Sequence, residues 1–279
     1  MAERPAENLV RACTLIEKAA KRGAKIICLP ELFRTRYFPQ QARPRRGSPL
    51  EAAKKNIRAW SEAVPGDTTQ ILSSMARRLR VVIVAPLYER DRRGRLFNSA
   101  VVLDADGKHL PTYRKVHLPH DPLFWERDYF KAGDTYRVYR TRYATFAVLI
   151  CYDQWFPEAA RQVVLAGADL IFYPTAIGTI KGYVSPDGDW HEAWETIQRS
   201  HAITNGVHVA AVNRVGVEGR LKFWGQSFVC DAFGRVIKRA GALNEEIVIA
   251  RLDLAHNKRI REGWGFLKHL RPDTYRAYR

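Results

Sequence analysis

Three residues that could carry out acyl-transfer chemistry each follow a predicted strand or lie close to the end of one. Glu31 follows "IICLP", Lys115 follows "LPTYR", and Cys151 follows "FAVLI". Ligands of α/β proteins bind outside the carboxyl ends of strands, so these three side chains could meet there. A carboxylate could act as a general base, an ammonium could stabilise negative charge on oxygen, and a thiol could attack a carbonyl carbon.

Cys151 also has a plain structural interpretation, because an isolated free cysteine is more often a small buried apolar residue. The stretch after it favours chemistry, since Pro157 suits the first turn of a helix and the N–H groups near a helix start can stabilise an anion. Cys13, Cys28 and Cys230 lie at apolar positions, where we expect core packing. No pair of cysteines has the CxxC spacing of a zinc or redox site.

The elements that must position these residues alternate between strands and helices. Short apolar runs such as "AKIICLPELF", "VVIVAPLYE" and "ADLIFYPTA" read as strands, and "WHEAWETIQRSHAITNG" reads as a helix. "FNSAVVLDADGKHLPTYRK" predicts two strands joined by an Asp-Gly turn, and "EEIVIARLDL" predicts a further strand near the end. This alternation predicts a layered α/β fold, and with no linker or repeat visible we expect a single domain over residues 1–279.

Composition narrows the classes of function. Hydrophobic residues make up 46% of the 279 residues, and no apolar run approaches the roughly 18 residues of a membrane helix. With no signal segment at the start, we expect a soluble cytoplasmic protein. The net charge of +17 would favour binding to nucleic acid, but no nucleic-acid-binding motif accompanies it. We therefore expect no dedicated nucleic-acid partner. The alternative is a basic scaffold or RNA-binding protein that retains an inactive hydrolase fold. "HEAWE" lacks the second histidine of a zinc motif, and we expect no metal and no cofactor.

Taken together, the three motifs resemble those of the nitrilase (carbon–nitrogen hydrolase) superfamily. "LPELF" is similar to its glutamate motif, "YRKVHLP" to its lysine motif and "ICYDQWFPEAAR" to its cysteine motif. The resemblance implies that Glu31 is the general base, that Lys115 stabilises the tetrahedral intermediate and that Cys151 is the nucleophile. "HDPLFWERDYFKAGD" resembles the segment of the second glutamate, which implies that Glu126 orients the lysine or assists the base; a buried ion-pair partner is the alternative.

Within the superfamily, "DQWFPE" and "QRSHAI" resemble the N-carbamoylputrescine amidases, which implies a small ureido or amide substrate. The implied oxyanion and substrate-binding positions are Tyr152, Asp153, Trp155, Thr175, Ala176, Asp121 and Glu192. A cationic substrate would need local acids in so basic a protein, and Asp187 and Asp189 are further candidates for that role. If Arg199 or Arg214 faced the pocket instead, the alternative substrate would be an anionic ureido acid. A third possibility is that the enzyme is an ω-amidase.

The resemblance also implies a fold of four layers, αββα, with two mixed β-sheets between outer helices. Family members begin with a strand before the first helix, whereas helix-like sequence starts here by about residue 6, so we expect that strand to be missing. The resemblance further implies a homodimer or larger homo-oligomer. Residues 264–279 resemble a C-terminal tail used in subunit contacts, and a frayed end is the alternative.

Overall fold

The computed structural model describes residues 1–42 and 57–275 and contains helices and strands in alternation. The helices of at least two turns are α1 Pro5–Lys21, α2 Asp67–Leu79, α3 Pro157–Leu165, α4 Trp190–Asn205 and α5 Leu254–Trp264. The strands are β1 Ile26–Cys28, β2 Val82–Arg90, β3 Leu96–Leu103, β4 His109–Arg114, β5 Val138–Arg140, β6 Thr145–Val148, β7 Leu170–Pro174, β8 Gly178–Ile180, β9 His208–Val212, β10 Val215–Glu218, β11 Leu221–Trp224, β12 Phe228–Cys230 and β13 Val236–Arg239.

Two mixed sheets form the centre of the molecule. The first has the order β1-β2-β3-β4, in which β1 and β2 are parallel and the other neighbours antiparallel. The second has the order β13-β12-β9-β7-β6-β5, with β6, β7 and β9 mutually parallel. In each sheet the strands that precede the predicted site residues end at the same edge, so the topology can bring those residues together.

The continuous apolar sequence of β2 follows from burial on both faces. Val82 and Val84 pack in a core cluster with residues of the second sheet, whereas Ile83 and Ala85 pack with residues of α1 and α2. Helices α3 and α4 cover the outer face of the second sheet through a set of small and apolar side chains (Ala159, Ala160, Val163, Val164, Trp194 and Ala202). The predicted four-layer αββα sandwich is therefore confirmed.

One predicted strand is wrong. Residues 245–254 ("EEIVIARLDL") form no strand, although their alternation suits one. A strand needs a partner edge, and this segment instead lines an apolar cavity of about 730 Å³ together with β1. Among the described residues no strand precedes α1, and none pairs with the outer edge of β1.

A hairpin that the sequence reading did not anticipate connects to the site. β10 and β11 pair antiparallel, and β8 adds a third strand. Gly219 turns the hairpin with φ +59, a left-handed conformation that favours glycine. The hairpin places Glu218 in the protein interior. None of the described helices is long and apolar enough to cross a membrane.

Candidate active site

Lys115 lies at the centre of a buried cluster of charged side chains. It follows β4, and its main-chain N–H donates to Asn98 O at 2.8 Å, which continues the pairing with β3. Its Nζ lies 2.9 Å from Glu31 Oε1 and 2.7 Å from each carboxylate oxygen of Glu126. All three charged side chains are fully buried. The structure thus brings together three of the four residues predicted to be catalytic and seals them from bulk water.

The charges of this cluster are strongly coupled. Burial acts to lower the pKa of Lys115, but the negative charges of Glu126 and Glu31 outweigh it and raise that pKa above its ordinary value. Burial raises the pKa of Glu126 to about 7, with Lys115 acting in the opposite direction. Lys115 is therefore an ammonium at neutral pH, and the pair of carboxylates around it takes up one proton close to pH 7.

Glu31 has one carboxylate oxygen engaged and one free. Oε1 accepts hydrogen bonds from Lys115 Nζ and, at 2.7 Å, from Asn98 Nδ2. Oε2 is buried and has no hydrogen-bond partner among the described residues. A buried carboxylate oxygen without a partner is costly, and it is chemically able to accept a proton from a neighbouring group.

Cys151 begins the short 3₁₀ turn Cys151–Trp155 directly after the core segment that extends β6. Its φ of +44 is in the left-handed region, which is uncommon for a residue with a side chain and found often at active sites. Burial and then the charge of Glu31 raise the pKa of the thiol, and Lys115 only partly opposes them. The resting group is therefore a thiol, and it needs a base to become a nucleophile.

Ala176 and Tyr152, which were predicted to bind the oxyanion or the substrate, lie next to this thiol. Ala176 follows β7, the parallel neighbour of β6, and its backbone forms a hydrogen bond with Cys151. Tyr152 occupies the first turn of the 3₁₀ segment, where main-chain N–H groups lack an acceptor within the helix. Trp155 ends that turn as a half-buried side chain packed on the core.

Asp153 and Thr175, both predicted above to bind substrate, have their polar atoms engaged within the protein. Asp153 Oδ2 accepts from Tyr113 Oη at 2.6 Å and Ile150 N at 2.9 Å. Oδ1 lies 2.9 Å from His117 N and 2.8 Å from His117 Nδ1. These bonds tie the Cys151 turn to the strand that carries Lys115. The Thr175 hydroxyl lies 3.0 Å from Tyr173 O and 3.3 Å from Gln154 Oε1.

The acidic residues predicted to attract a cationic substrate differ in whether their carboxylates already have a partner within the protein. Asp189 caps α4 by accepting from His191 N at 2.8 Å, so its carboxylate has a structural partner. Asp121 and Glu192 are exposed, in the loop before Glu126 and in the first turn of α4. Asp187 is exposed as well.

Both arginines named above as possible ligands of an anionic substrate are occupied. Arg199 donates to Gly234 O at 2.8 Å and pairs with Glu195 at 3.5 Å. Arg214 is buried and bonded to Glu218 and to main-chain carbonyls around Glu31. The structure therefore gives the anionic-substrate alternative no support from these two residues.

Sequence reasoning missed Asn98 and Tyr37. Tyr37 Oη donates to Glu126 Oε1 at 2.7 Å, and Asn98 Nδ2 donates to Glu31 Oε1 at 2.7 Å. A polar Asn-Ser pair inside the apolar run "LFNSAVVL" is the one signal that could have pointed to Asn98. Among the described residues, no cluster of three or more His, Cys, Asp or Glu side chains is arranged to hold a metal ion.

Comparison with known proteins gives a consistent result. The sequence model of the carbon-nitrogen hydrolase family matches residues 1–262. N-carbamoylputrescine amidase of Oryza sativa subsp. japonica is 37% identical, over 97% of this chain and 89% of the relative. Citrullinase of Francisella tularensis subsp. tularensis is 35% identical, over 97% of this chain and 92% of the relative.

A solved structure has the same fold. The crystal structure of a carbon-nitrogen hydrolase from Helicobacter pylori G27 matches with a TM-score of 0.85 and 35% identity, over 98% of this chain and 92% of that one. The match of fold, family model and relatives agrees with the motifs described above. The chain belongs to the carbon-nitrogen hydrolase family of the nitrilase superfamily and is a hydrolase of non-peptide linear amides.

Proposed function

We propose that this enzyme hydrolyses the carbamoyl C–N bond of N-carbamoylputrescine through a thioester on Cys151. The observation that carries the cysteine mechanism is the buried Lys115 ammonium held between Glu31 and Glu126 beside a neutral thiol. Glu31 Oε2 has no hydrogen-bond partner among the described residues and can take the thiol proton as sulfur attacks the ureido carbon. Lys115 and the N–H of Tyr152 stabilise the oxyanion that forms.

The remaining steps return every group to its starting state. The tetrahedral intermediate expels ammonia, which takes the proton from Glu31, and an N-alkylcarbamoyl thioester remains on sulfur. Glu31 then deprotonates a water molecule that attacks the thioester carbon, and the C–S bond breaks with return of the proton to sulfur. The carbamic acid released loses carbon dioxide to give putrescine. Glu126 and Tyr37 hold Lys115 in place throughout.

Two observations support a cationic substrate tail. The N-carbamoylputrescine amidase of Oryza sativa matches over nearly all of this chain, and Arg199 and Arg214 both have partners within the protein. Asp121 and Glu192 are exposed carboxylates, in the loop before Glu126 and in the first turn of α4, so they could attract an ammonium group despite the net positive charge. A ureido acid, as the name of the citrullinase relative indicates for that protein, and an ω-amide are the alternatives.

Ammonia release from a panel of substrates tests this choice. We expect turnover of N-carbamoylputrescine to exceed that of N-carbamoyl-β-alanine, citrulline and a dicarboxylic acid ω-amide by at least about 10-fold in kcat/KM, since one paired charge contributes on the order of 1.4 kcal/mol or more. Glu192→Gln should raise the KM for N-carbamoylputrescine and leave that for a neutral alkylurea unchanged. Turnover of N-carbamoyl-β-alanine without turnover of N-carbamoylputrescine would overturn the assignment.

The acidic side of the pH profile should report Glu126. Because burial raises its pKa to about 7, lowering the pH through that value protonates Glu126. A neutral Glu126 no longer holds the Lys115 ammonium in place through its charge, so kcat/KM should fall below pH 7. Glu126→Gln should lower kcat by about 10- to 100-fold and remove the limb near pH 7, because that titrating group is gone. A limb that stays near pH 7 in this variant would contradict the assignment to Glu126.

We propose that the enzyme is a homodimer or larger homo-oligomer that uses the predicted tail, residues 264–279, of which the last four lie outside the described residues. Trp264 at the end of α5 is 56% exposed, and its ring packs 5.3 Å from that of Phe233 and 5.6 Å from that of Phe266. A contiguous exposed aromatic cluster is typical of an interaction surface. The cytoplasmic location stays a prediction from the sequence.

Light scattering after size-exclusion chromatography tests the assembly. The wild type should elute with the mass of two or more chains, and Trp264→Glu should shift it towards the monomer because a charge at the centre of an aromatic contact is costly to bury. Leu243→Glu is the matched control, since Leu243 is an apolar side chain that is 80% exposed and lies in the loop between β13 and α5. A monomeric wild type would refute the proposal.

A further inference from the structure

Arg214 has a place in the fold that no step of the proposed mechanism uses. It follows β9, which lies beside β7 in the parallel part of the second sheet, and its side chain is almost fully buried. Its guanidinium donates to Glu31 O at 2.8 Å, Leu32 O at 2.7 Å and Thr35 O at 2.9 Å. Three carbonyls of the loop after β1 therefore converge on one guanidinium, which presents several N–H donors in a fixed geometry.

This loop needs an external support. Leu32 has φ +47, a left-handed conformation that a leucine adopts at a cost unless its surroundings hold it. Glu31 Oε2, the oxygen assigned to proton transfer, accepts no hydrogen bond from any residue that the structure describes. The direction of that oxygen therefore depends on where the backbone of Glu31 is fixed and on the two contacts of Oε1.

Glu218 completes the arrangement and connects it to the second carboxylate. Its oxygens lie 3.0 and 3.2 Å from Arg214 Nη1, and Oε2 accepts from Tyr37 N at 2.7 Å. The N-terminal ammonium lies 2.9 Å from Oε1. Tyr37 in turn donates its hydroxyl to Glu126 Oε1 at 2.7 Å. The buried Arg214–Glu218 ion pair thus contacts the main chain of Glu31 directly and is connected to Glu126 through Tyr37.

We propose that the Arg214–Glu218 ion pair is a positioning device that aligns both carboxylates with Lys115 and Cys151. The proposal rests on the proposed function, because it assumes that Glu31 transfers the proton and that Glu126 orients the lysine. Neither Arg214 nor Glu218 touches the reacting atoms. They act by fixing the loop and the tyrosine on which the two acids depend, and small misplacements of such groups have large effects on rate.

The test compares Arg214→Met with Arg261→Met as a matched control. Arg261 also donates to main-chain carbonyls, of Ala168 at 2.8 Å and Asn205 at 3.4 Å, and pairs with Asp169 at 2.9 Å, but it supports α5. Arg214→Met should lower kcat about 100-fold, change KM less than about 3-fold, and shift the acidic limb of kcat/KM by more than about half a pH unit. Arg214→Lys should recover part of the rate, and Arg261→Met should keep the wild-type rate and pH profile.

A second readout separates this proposal from the proposed function. The rate of Cys151 alkylation by iodoacetamide depends on deprotonation of the thiol and requires no substrate, so its pH dependence should shift in Arg214→Met and stay fixed in Arg261→Met. If Arg214→Met does not fold, Glu218→Gln keeps the shape of the pair and should lower kcat about 10-fold with the same shift in the alkylation profile. Wild-type kcat and an unshifted alkylation profile in folded Arg214→Met, or in Glu218→Gln, would overturn the positioning role. Absence of Cys151-dependent hydrolysis in the wild type would instead overturn the proposed function.

Discussion

Replacing Cys151 with alanine should abolish amide hydrolysis. The proposed mechanism routes both halves of the reaction through a bond to this sulfur, so its removal should lower kcat/KM by about four orders of magnitude or more. The fold should survive, because Cys151 is a small buried side chain at a turn and its loss removes one sulfur atom from the core. Far-ultraviolet circular dichroism and ammonia release, measured on the same preparation, separate the two effects.

Cys230→Ala is the matched control for this prediction. Cys230 is also a buried thiol whose pKa burial raises, but it lies in β12 and pairs with β9 and β13. Its replacement should cost about 1 kcal/mol of stability and leave the rate within about 3-fold of wild type. Equal activity of the Cys151→Ala and wild-type enzymes would exclude the thiol mechanism.

Replacing Lys115 with methionine should damage both activity and stability. Its ammonium is fully buried between two carboxylates, so removal leaves Glu31 and Glu126 without their cation. Breaking a buried ion pair from one side costs about 3–5 kcal/mol, which urea unfolding should detect. Loss of the oxyanion stabiliser should lower kcat by about 10²- to 10³-fold in protein that remains folded.

The double variant Lys115→Met with Glu126→Gln distinguishes charge imbalance from simple loss of packing. Removing one of the two unpaired carboxylates should recover on the order of 1–3 kcal/mol of the lost stability. Substitutions of residues in contact do not have additive effects on the free energy of unfolding. It should recover no activity, since the ammonium is still absent. A double variant whose stability loss equals the sum of the single losses would contradict the coupling described for this cluster.

Three of the four residues predicted to be catalytic follow a strand, whereas Glu126, which only the family resemblance implied, lies in a short 3₁₀ turn. Glu31 follows β1, Lys115 follows β4 and Cys151 follows β6, and each of these strands ends at the same edge of its sheet. Their types and places could therefore be read from apolar runs followed by a polar residue. Their roles in catalysis are proposals that the variants above test.

The supporting residues could not be read in the same way. Asn98 and Tyr37 contact the acids across 67 and 89 positions of the chain, and such contacts leave no local pattern. Asp153 follows the nucleophile by two residues, which suggested a pocket, yet its side chain turns inward to Tyr113 and His117. A sequence gives the neighbours of a residue along the chain, whereas the direction of a side chain depends on partners brought by the fold.

The segment 245–254 shows the same limit for secondary structure. Its alternation of apolar residues fits a strand, but a strand is defined by hydrogen bonds to a neighbour. In the structure the segment borders the apolar cavity beside β1, and it pairs with none of the described strands. Local propensity therefore predicted a strand, but the pairing that defines a strand depends on the rest of the fold.

The most direct test of the account is mass spectrometry of the enzyme quenched with acid during turnover of N-carbamoylputrescine. A thioester formed with loss of ammonia adds about 114 Da to the chain, and peptide mapping should place that mass on the peptide containing Cys151. The adduct should be absent from Cys151→Ala and from enzyme quenched without substrate. An unmodified Cys151 during steady turnover, or an adduct on another residue, would contradict the covalent mechanism.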